Sequence, residues 1–225
     1  MKIKRILSAM LVITAISCGH NSDEYKKVFS DPLLYSRTVK QLNDVVLENN
    51  FPPMIASRNY AYATIAAYET MAAGNDGFQS LSGQIKHLPS MPKPEAGKEI
   101  NFSLATLLSF VKVGNAVTFP EGSMMAIYED LKKQAKDAGM SSDMLENTVT
   151  FSDSVVAAIL RWSKKDNYAR TRSAEKYTIK QVEGRWIPTP PMYGPAVEPH
   201  WKEIRTLVID SSSEFMPPRP PVYDV

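Results

Sequence analysis

The chain has 225 residues, with 26 Lys and Arg side chains against 24 Asp and Glu side chains, so its formal net charge is +2. This near balance excludes the strongly basic surface that nucleic-acid-binding proteins present. The single cysteine excludes an internal disulfide framework and a cysteine-based metal cluster.

Residues 1–17 have the order of a bacterial export signal. Three basic side chains precede an apolar run at residues 6–16, and Cys18 follows after a small residue. The run is shorter than the roughly 20 apolar residues of a permanent membrane-spanning helix. We therefore predict that residues 1–17 are removed as a signal peptide, which leaves 23 basic and 24 acidic side chains.

Cys18 stands at the position of a lipidation cysteine. The segment Ala15-Ile16-Ser17-Cys18 resembles a bacterial lipobox, with alanine where leucine is usual. We predict that diacylglycerol is attached to Cys18 and that the acyl chains tether the exported protein to a membrane. The alternative is a chance cysteine after an ordinary secretory signal. The predicted location is the outer membrane, the cell surface or the periplasm, as a lipoprotein.

The remaining sequence has the apolar periodicity of an all-α protein. A polar tether, residues 18–30, leads to a helix that begins at Asp31-Pro32, because proline suits a first turn. A second helix is predicted from Pro52-Pro53 to Gly74, and its nearly uniform apolar surface indicates a central position. Residues 79–97 are rich in Pro, Ser and Gly and predict a surface connection.

Three further helices follow, at about residues 102–119, 123–138 and 141–166. Ser141 or Ser142 is suited to cap the third of them. Beyond Tyr177 the density of prolines favours extended backbone, with a short helix around Pro199–Ile204. The sequence therefore predicts a helical bundle in one domain, residues 31–225, with a proline-rich extended C-terminal strap (residues 177–225).

No catalytic or metal-binding motif is recognisable. His20, His87 and His200 each lack a second histidine at metal-ligand spacing, whereas a zinc site needs three or four converging ligands. The sequence has no Gly-x-Ser-x-Gly elbow, Walker loop or dinucleotide-binding glycine pattern. We therefore predict no catalytic residue and no metal site in this chain.

One polar face of the second helix has two interpretations. Arg58, Tyr62, Ile65 and Glu69 fall on this face, since a separation of eleven residues is close to three helical turns. Its cation and carboxylate could orient a ligand. The favoured interpretation is a polar stripe or structural pairing with a neighbouring helix.

A second group of charges follows the last long helix. Asp166 is interpreted as forming a local ion cluster with Arg170 and Arg172 at a capped helix end. Such a cluster contributes little to stability if it is exposed.

Aromatic residues interleave with prolines in the strap. Trp186, Tyr193 and Trp201 are candidate binding residues, because aromatic faces bury large apolar areas at low entropic cost. They would make the chain a stand-alone surface lipoprotein that binds a glycan or a protein. The favoured interpretation is an extended strap packed over helices.

Several segments together form a recognisable order. They are Pro52-Pro53 with Arg58, Ala61, Ala66, Tyr68, Glu69 and Ala72; Phe119-Pro120; Val156–Leu160 with Asp166; Gly184-Arg185-Trp186 with Pro188, Pro190 and Pro191; Pro199-His200-Trp201; and Pro217–Pro221. In this order they resemble the vanadium-dependent haloperoxidases and related lipoproteins of the type 2 phosphatidic acid phosphatase superfamily. The resemblance implies an all-helical architecture.

The resemblance also implies a phosphate-shaped site that holds vanadate or a phosphoryl group. In the family a Lys and Arg-Pro pair, a Pro-Ser-Gly-His segment and a later Arg and His build that site, after the proline-rich connector. Candidates in this chain fail: Arg219-Pro220 has Ser212 instead of lysine seven residues upstream, and Ser82-Gly83 lies between Leu81 and Gln84.

We therefore expect the N-terminal helical half of a haloperoxidase-like lipoprotein, without peroxidase or phosphatase activity by itself. Vanadate is expected only if a C-terminal half is supplied. The expected partners are the membrane, through the N-terminal lipid, and a separately encoded C-terminal half or a second copy of the chain. Nucleic acid is not an expected partner.

Overall fold

The computed structural model describes residues 23–218 and residue 221. Within these residues the elements are α1 (Glu24–Ser30), α2 (Pro32–Glu48), α3 (Pro53–Ala72), α4 (Phe102–Val117), α5 (Met125–Asp137), α6 (Ser142–Ser163), α7 (Tyr168–Ser173) and a 3-10 helix (Trp201–Glu203). The described part of the chain has no β-strand, only an isolated bridge between Ser82 and Ile85. The predicted all-α fold is confirmed. The predicted signal peptide, Cys18 and His20 lie outside the described residues.

The helix starts follow the capping residues of the sequence. The Asp31 side chain accepts a hydrogen bond from the backbone N–H of Leu33 at the start of α2. At the start of α6, Ser141 is the cap, because its hydroxyl accepts from the backbone N–H of Met144. Each such cap satisfies one of the N–H groups that a helix start leaves without a partner.

Helix α3 lies at the centre of the bundle, as its apolar sequence predicts. Its most extensive contact is with α4, and it also packs against α6. Ala63 and Ala66 of α3 are completely buried, and so are Leu104 and Leu108 of α4. Small side chains on one helix let larger ones on the other fill the interface at the density of a protein core.

The polar tether is shorter than the sequence predicts. Helix α1 occupies part of the segment that was expected to be a tether, and it buries Tyr25 and Phe29. The backbone N–H of Tyr25 donates to the carbonyl of Ala138 at 3.1 Å, which joins α1 to the end of α5. Two aromatic side chains one helical turn apart are enough to dock this otherwise polar segment.

The connection between α3 and α4 contains no helix, as predicted, but it is not confined to the surface. Leu88 is buried, and Leu81 and Ile85 pack against the core. The indole N–H of Trp162 in α6 donates to the carbonyl of Lys86 at 3.1 Å. The sparse apolar residues of this segment therefore serve as anchors.

The strap contains no α-helix in its described part, as the prolines predict, and each of its described residues keeps some solvent exposure. The short helix expected around Pro199–Ile204 is the 3-10 helix. Packing on the bundle centres on Arg205 and Leu207; the backbone carbonyl of Leu207 accepts from the N–H of Lys86 at 2.9 Å. None of the described helices combines the length and apolarity needed to cross a membrane.

Candidate functional site

A buried ion cluster joins α3, the end of α6 and the strap. The Asp166 side chain, three residues after α6, is only 1% exposed. Its Oδ2 accepts from Nε of Arg58 at 2.6 Å and from the Tyr62 hydroxyl at 2.8 Å. Its Oδ1 accepts from the backbone N–H of Tyr168 at 2.9 Å. One carboxylate therefore holds two side chains of α3 and the first turn of α7.

The interpretation of Asp166 as a partner of Arg170 and Arg172 is wrong. Arg172 forms its ion pair with Glu198 of the strap, and Arg170 is exposed. Asn167 adopts the left-handed conformation, with φ of 73°, directly after Asp166. The chain thus changes direction at the end of α6, and Asp166 meets Arg58, a residue that is distant in the sequence.

Arg205 brings a second guanidinium to the cluster. Its Nη1 donates to the carbonyl of Trp162 and its Nη2 to the Tyr62 hydroxyl, both at 3.1 Å. Its backbone N–H donates to the carbonyl of Asp166 at 2.9 Å. The guanidinium carbon lies 4.3 Å from the centre of the Trp162 ring, within the range of a cation–π contact. Sequence reasoning missed Arg205, because no spacing links it to α3 or α6.

The Tyr62 hydroxyl connects the two arginines through Asp166. Burial raises its pKa above the usual value, and the negative charge of Asp166 raises it further. The hydroxyl therefore stays protonated, accepts from Arg205 and donates to Asp166. The hydroxyl thus links Arg205 to Asp166 through two hydrogen bonds.

The cluster lines a cavity of about 370 Å³ that we call the Arg58 groove. Trp201, Lys202 and Ser212 of the strap also line it. Trp201 also packs edge-on against Tyr168, with ring centroids 6.4 Å apart. The groove thus lies between the bundle and the strap.

The polar face of α3 does not converge on one ligand. Arg58 pairs with Asp166, whereas Glu69 accepts from the backbone N–H of Leu81 at 2.6 Å and from the Ser80 hydroxyl at 2.8 Å. Eleven residues of helix separate Arg58 and Glu69, or about 16 Å. Arg58 thus has a structural partner that follows α6 in the chain and is not part of a helix, and Glu69 fixes the connection to α4.

The three aromatic candidates divide between two sites. Trp186 and Tyr193 line a cavity of about 510 Å³, together with Glu175 and His200. Trp201 lies instead at the Arg58 groove. A single aromatic platform built from all three residues is therefore not formed.

The two described histidines have different surroundings. His200 contacts Glu203 through Nδ1 at 3.0 Å and the carbonyl of Glu175 through Nε2 at 2.8 Å. His87 is exposed in the connection between α3 and α4. No group of three or more His, Cys, Asp and Glu side chains within residues 23–218 is placed to hold a metal ion. The cavity that Arg58, Arg205 and Lys202 line has no histidine, so it does not fit the vanadate site that the resemblance implies, with histidine beside Lys and Arg donors.

The comparisons with known proteins support the resemblance through a solved structure. No protein-family model and no curated protein matches the chain. The crystal structure of the first bacterial vanadium-dependent iodoperoxidase matches with a TM-score of 0.80 and 34% sequence identity, over 85% of this chain. The chain spans 46% of that protein, or about half its length. The chain thus has a vanadium haloperoxidase-like fold, as the order of its sequence segments predicts.

Proposed function

We propose that this chain is a helical scaffold of a haloperoxidase-like protein and that further polypeptide supplies the oxyanion-binding residues. The main support is the match to the iodoperoxidase, which covers 85% of this chain but 46% of that protein. The chemistry of the described residues agrees with this proposal, because no histidine lines the Arg58 groove beside its arginines. The whole protein would act on iodide or a related halide.

The buried ion cluster supports a scaffold role. Oxyanion catalysis requires donors that are aimed at the reacting group before it arrives. Arg205 directs both Nη groups to protein acceptors, and Arg58 directs Nε to Asp166. These bonds join α3, the end of α6 and the strap, so the cluster stabilises the packing of these three segments.

An activity assay on purified residues 19–225 tests the proposal. The protein is incubated with vanadate, and oxidation of iodide and bromide by hydrogen peroxide is measured, followed by phosphate-ester cleavage. We expect rates equal to those of buffer with vanadate, while the bacterial iodoperoxidase serves as the positive control. Activity above the buffer rate that copurifies with the chain would show that its own residues complete a site.

Completion by further polypeptide can be tested separately. The DNA that follows the codon for Val225 is sequenced and searched for the Lys, Arg-Pro, Ser-Gly-His and His motifs. Where such a segment is found, joining it to this chain, or producing both together, should give vanadate-dependent halide oxidation. If the neighbouring DNA lacks the motifs, or if the joined protein is inactive, the proposal that this chain is the scaffold of a halide-oxidising protein is contradicted.

We also propose that the protein is exported and tethered by a lipid on Cys18. The support is the order of basic, apolar and small residues that precedes this cysteine. Acyl chains at the N-terminus would place the bundle at a membrane surface without a spanning helix.

A second candidate function is recognition of a glycan or a peptide by the strap. The observation that favours it is the cavity of about 510 Å³ that Trp186 and Tyr193 line together. Trp186 is 46% exposed and packs edge-on against Tyr177, with ring centroids 5.5 Å apart. An oriented, partly exposed indole beside polar groups is suited to stack on a sugar or an aromatic side chain.

A further inference from the structure

The Arg58 guanidinium has one edge without a protein acceptor. Its Nε edge donates to Asp166, and its central carbon lies 4.8 Å and 4.3 Å from the ring centres of Tyr62 and Tyr168. Within residues 23–218, Nη1 and Nη2 make no hydrogen bond. The Arg58 side chain is only 11% exposed as a whole, but its Nη atoms are not among the buried atoms without a partner, so this edge retains contact with solvent. A planar pair of donors without a protein partner thus belongs to a side chain that lines the groove.

Positive charge exceeds negative charge around the groove. Arg58, Arg205 and Lys202 line it, whereas Asp166 is its only carboxylate among the described residues. Asp166 is matched to Arg58, so the charges of Arg205 and Lys202 have no carboxylate partner within the groove. Nε of Arg205 is also buried without a hydrogen-bond partner in the described structure. Cationic donors held out of water favour an anion beside them.

The shape of the donors indicates the class of anion. A guanidinium edge presents two parallel N–H groups, which match two oxygens on one carbon or phosphorus atom. Ser212 lines the same cavity, and a serine hydroxyl can donate to a third oxygen. The cavity volume of about 370 Å³ accommodates a small molecule.

We propose that the Arg58 groove binds a small oxyanion, a carboxylate or a phosphate group, through the Nη edge of Arg58. Arg205 and Lys202 supply the attractive charge, and Trp201 forms a wall for the apolar part of the ligand. This site differs from the vanadate site implied by the family resemblance, because no histidine lines the groove. Its role is reversible binding, and it is independent of the proposed scaffold function.

Calorimetric titration of purified residues 19–225 tests the proposal. Inorganic phosphate and acetate are titrated separately into the protein, and sodium chloride at matched ionic strength is the control. We expect one saturable site per chain for at least one of the two anions, with affinity that falls as salt is added. Saturation by phosphate alone assigns a phosphate ligand, and saturation by acetate alone assigns a carboxylate. Absence of saturable binding of both anions overturns the proposal.

Charge-reversal variants locate the site. Lys202→Glu should weaken binding by roughly tenfold or more, because it reverses a charge that lines the groove. Lys180→Glu makes the same change at an exposed strap residue outside the groove and should leave the affinity unchanged. Equal weakening by both variants would show unspecific attraction and would overturn the proposal.

A third variant tests the guanidinium while folding is monitored. Arg58→Lys keeps the positive charge but removes the planar edge, so binding should be lost. Circular dichroism establishes whether the helices persist, and a ligand-induced change in tryptophan fluorescence that is lost in a Trp201→Phe variant reports ligand entry independently. Unchanged affinity in a folded Arg58→Lys protein would contradict the proposed contact.

Discussion

Nε of Arg58 lies 2.6 Å from the carboxylate of Asp166, although 108 residues separate the two in the sequence. Asp166 is almost completely buried, and the Tyr62 hydroxyl shares the same carboxylate oxygen. Through Tyr62 and the backbone of Asp166, Arg205 joins the strap to this pair. The pair therefore connects helix packing to the position of the strap.

Substitution of Asp166 should destabilise the whole bundle. Asp166→Asn leaves Arg58 buried without a compensating charge, so we expect the free energy of unfolding to fall by about 3 kcal/mol. Urea denaturation followed by circular dichroism measures this loss. Asp153→Asn is the control, because Asp153 pairs with Lys112 at a partly exposed position and should cost less than about 1 kcal/mol. Similar losses for the two variants would contradict a special role for the buried pair.

Loss of the Glu69 carboxylate should loosen the connection between α3 and α4. Glu69→Gln turns one acceptor into an NH₂ donor opposite the donors of Ser80 and Leu81, so we expect a cost of about 1–3 kcal/mol. Limited proteolysis should show faster cleavage within residues 79–97. Glu95→Gln, at an exposed site in the same segment, should leave the cleavage rate unchanged. Equal cleavage of both variants would mean that Glu69 does not hold the segment.

The stability of the protein should fall at alkaline pH through Tyr62. Its pKa in the folded chain is raised above the value of 10.0 that applies when the chain is unfolded, chiefly by burial. Above pH 10.0 the folded state retains a proton that the unfolded state releases. The stabilising contribution of Tyr62 is therefore complete below pH 10.0 and is lost as the pH rises above this value. Urea denaturation between pH 8 and pH 11 should show a steeper decline for the unmutated chain than for Tyr62→Phe. Parallel declines would refute the assignment.

Removal of Trp186 should separate recognition from folding. Because its indole is partly exposed and lies away from the core, Trp186→Ala should change the free energy of unfolding by less than about 1 kcal/mol. Trp162→Ala, in the buried core, should cost about 3–5 kcal/mol. If the strap recognises glycans, a glycan array should lose its signal with the Trp186 variant while folding is intact. Retained glycan binding would exclude this cavity as the binding site.

Lipidation should depend on Cys18. Cys18→Ala, made in the 225-residue chain in a bacterial host, should abolish incorporation of a palmitate analogue and release the protein from the membrane fraction. Ser17→Ala keeps a small residue before the cysteine and should be labelled normally. Labelling of the Cys18 variant would place the lipid elsewhere.

The sequence by itself determined the helices and the strap. Apolar periodicity located α2 to α6 within a few residues, and Asp31 marked a helix start through local capping chemistry. Prolines predicted the extended strap, because each removes a backbone donor and fixes one dihedral angle. These features depend on neighbours in the chain, so a local pattern is sufficient to find them.

Tertiary structure alone decided the partners of the buried polar groups and the docking of α1. Asp166 has arginines nearby in the sequence, but the reversal at Asn167 turns its carboxylate towards Arg58 of α3. Arg205 joins the same cluster from the strap, where the sequence gives no periodicity to follow. A charged side chain can pair with any opposite charge that folding brings near it. Once the side chain is buried, losing that partner is costly, because the charge is no longer hydrated. Local patterns contain no information on that choice, because it depends on which helices pack together.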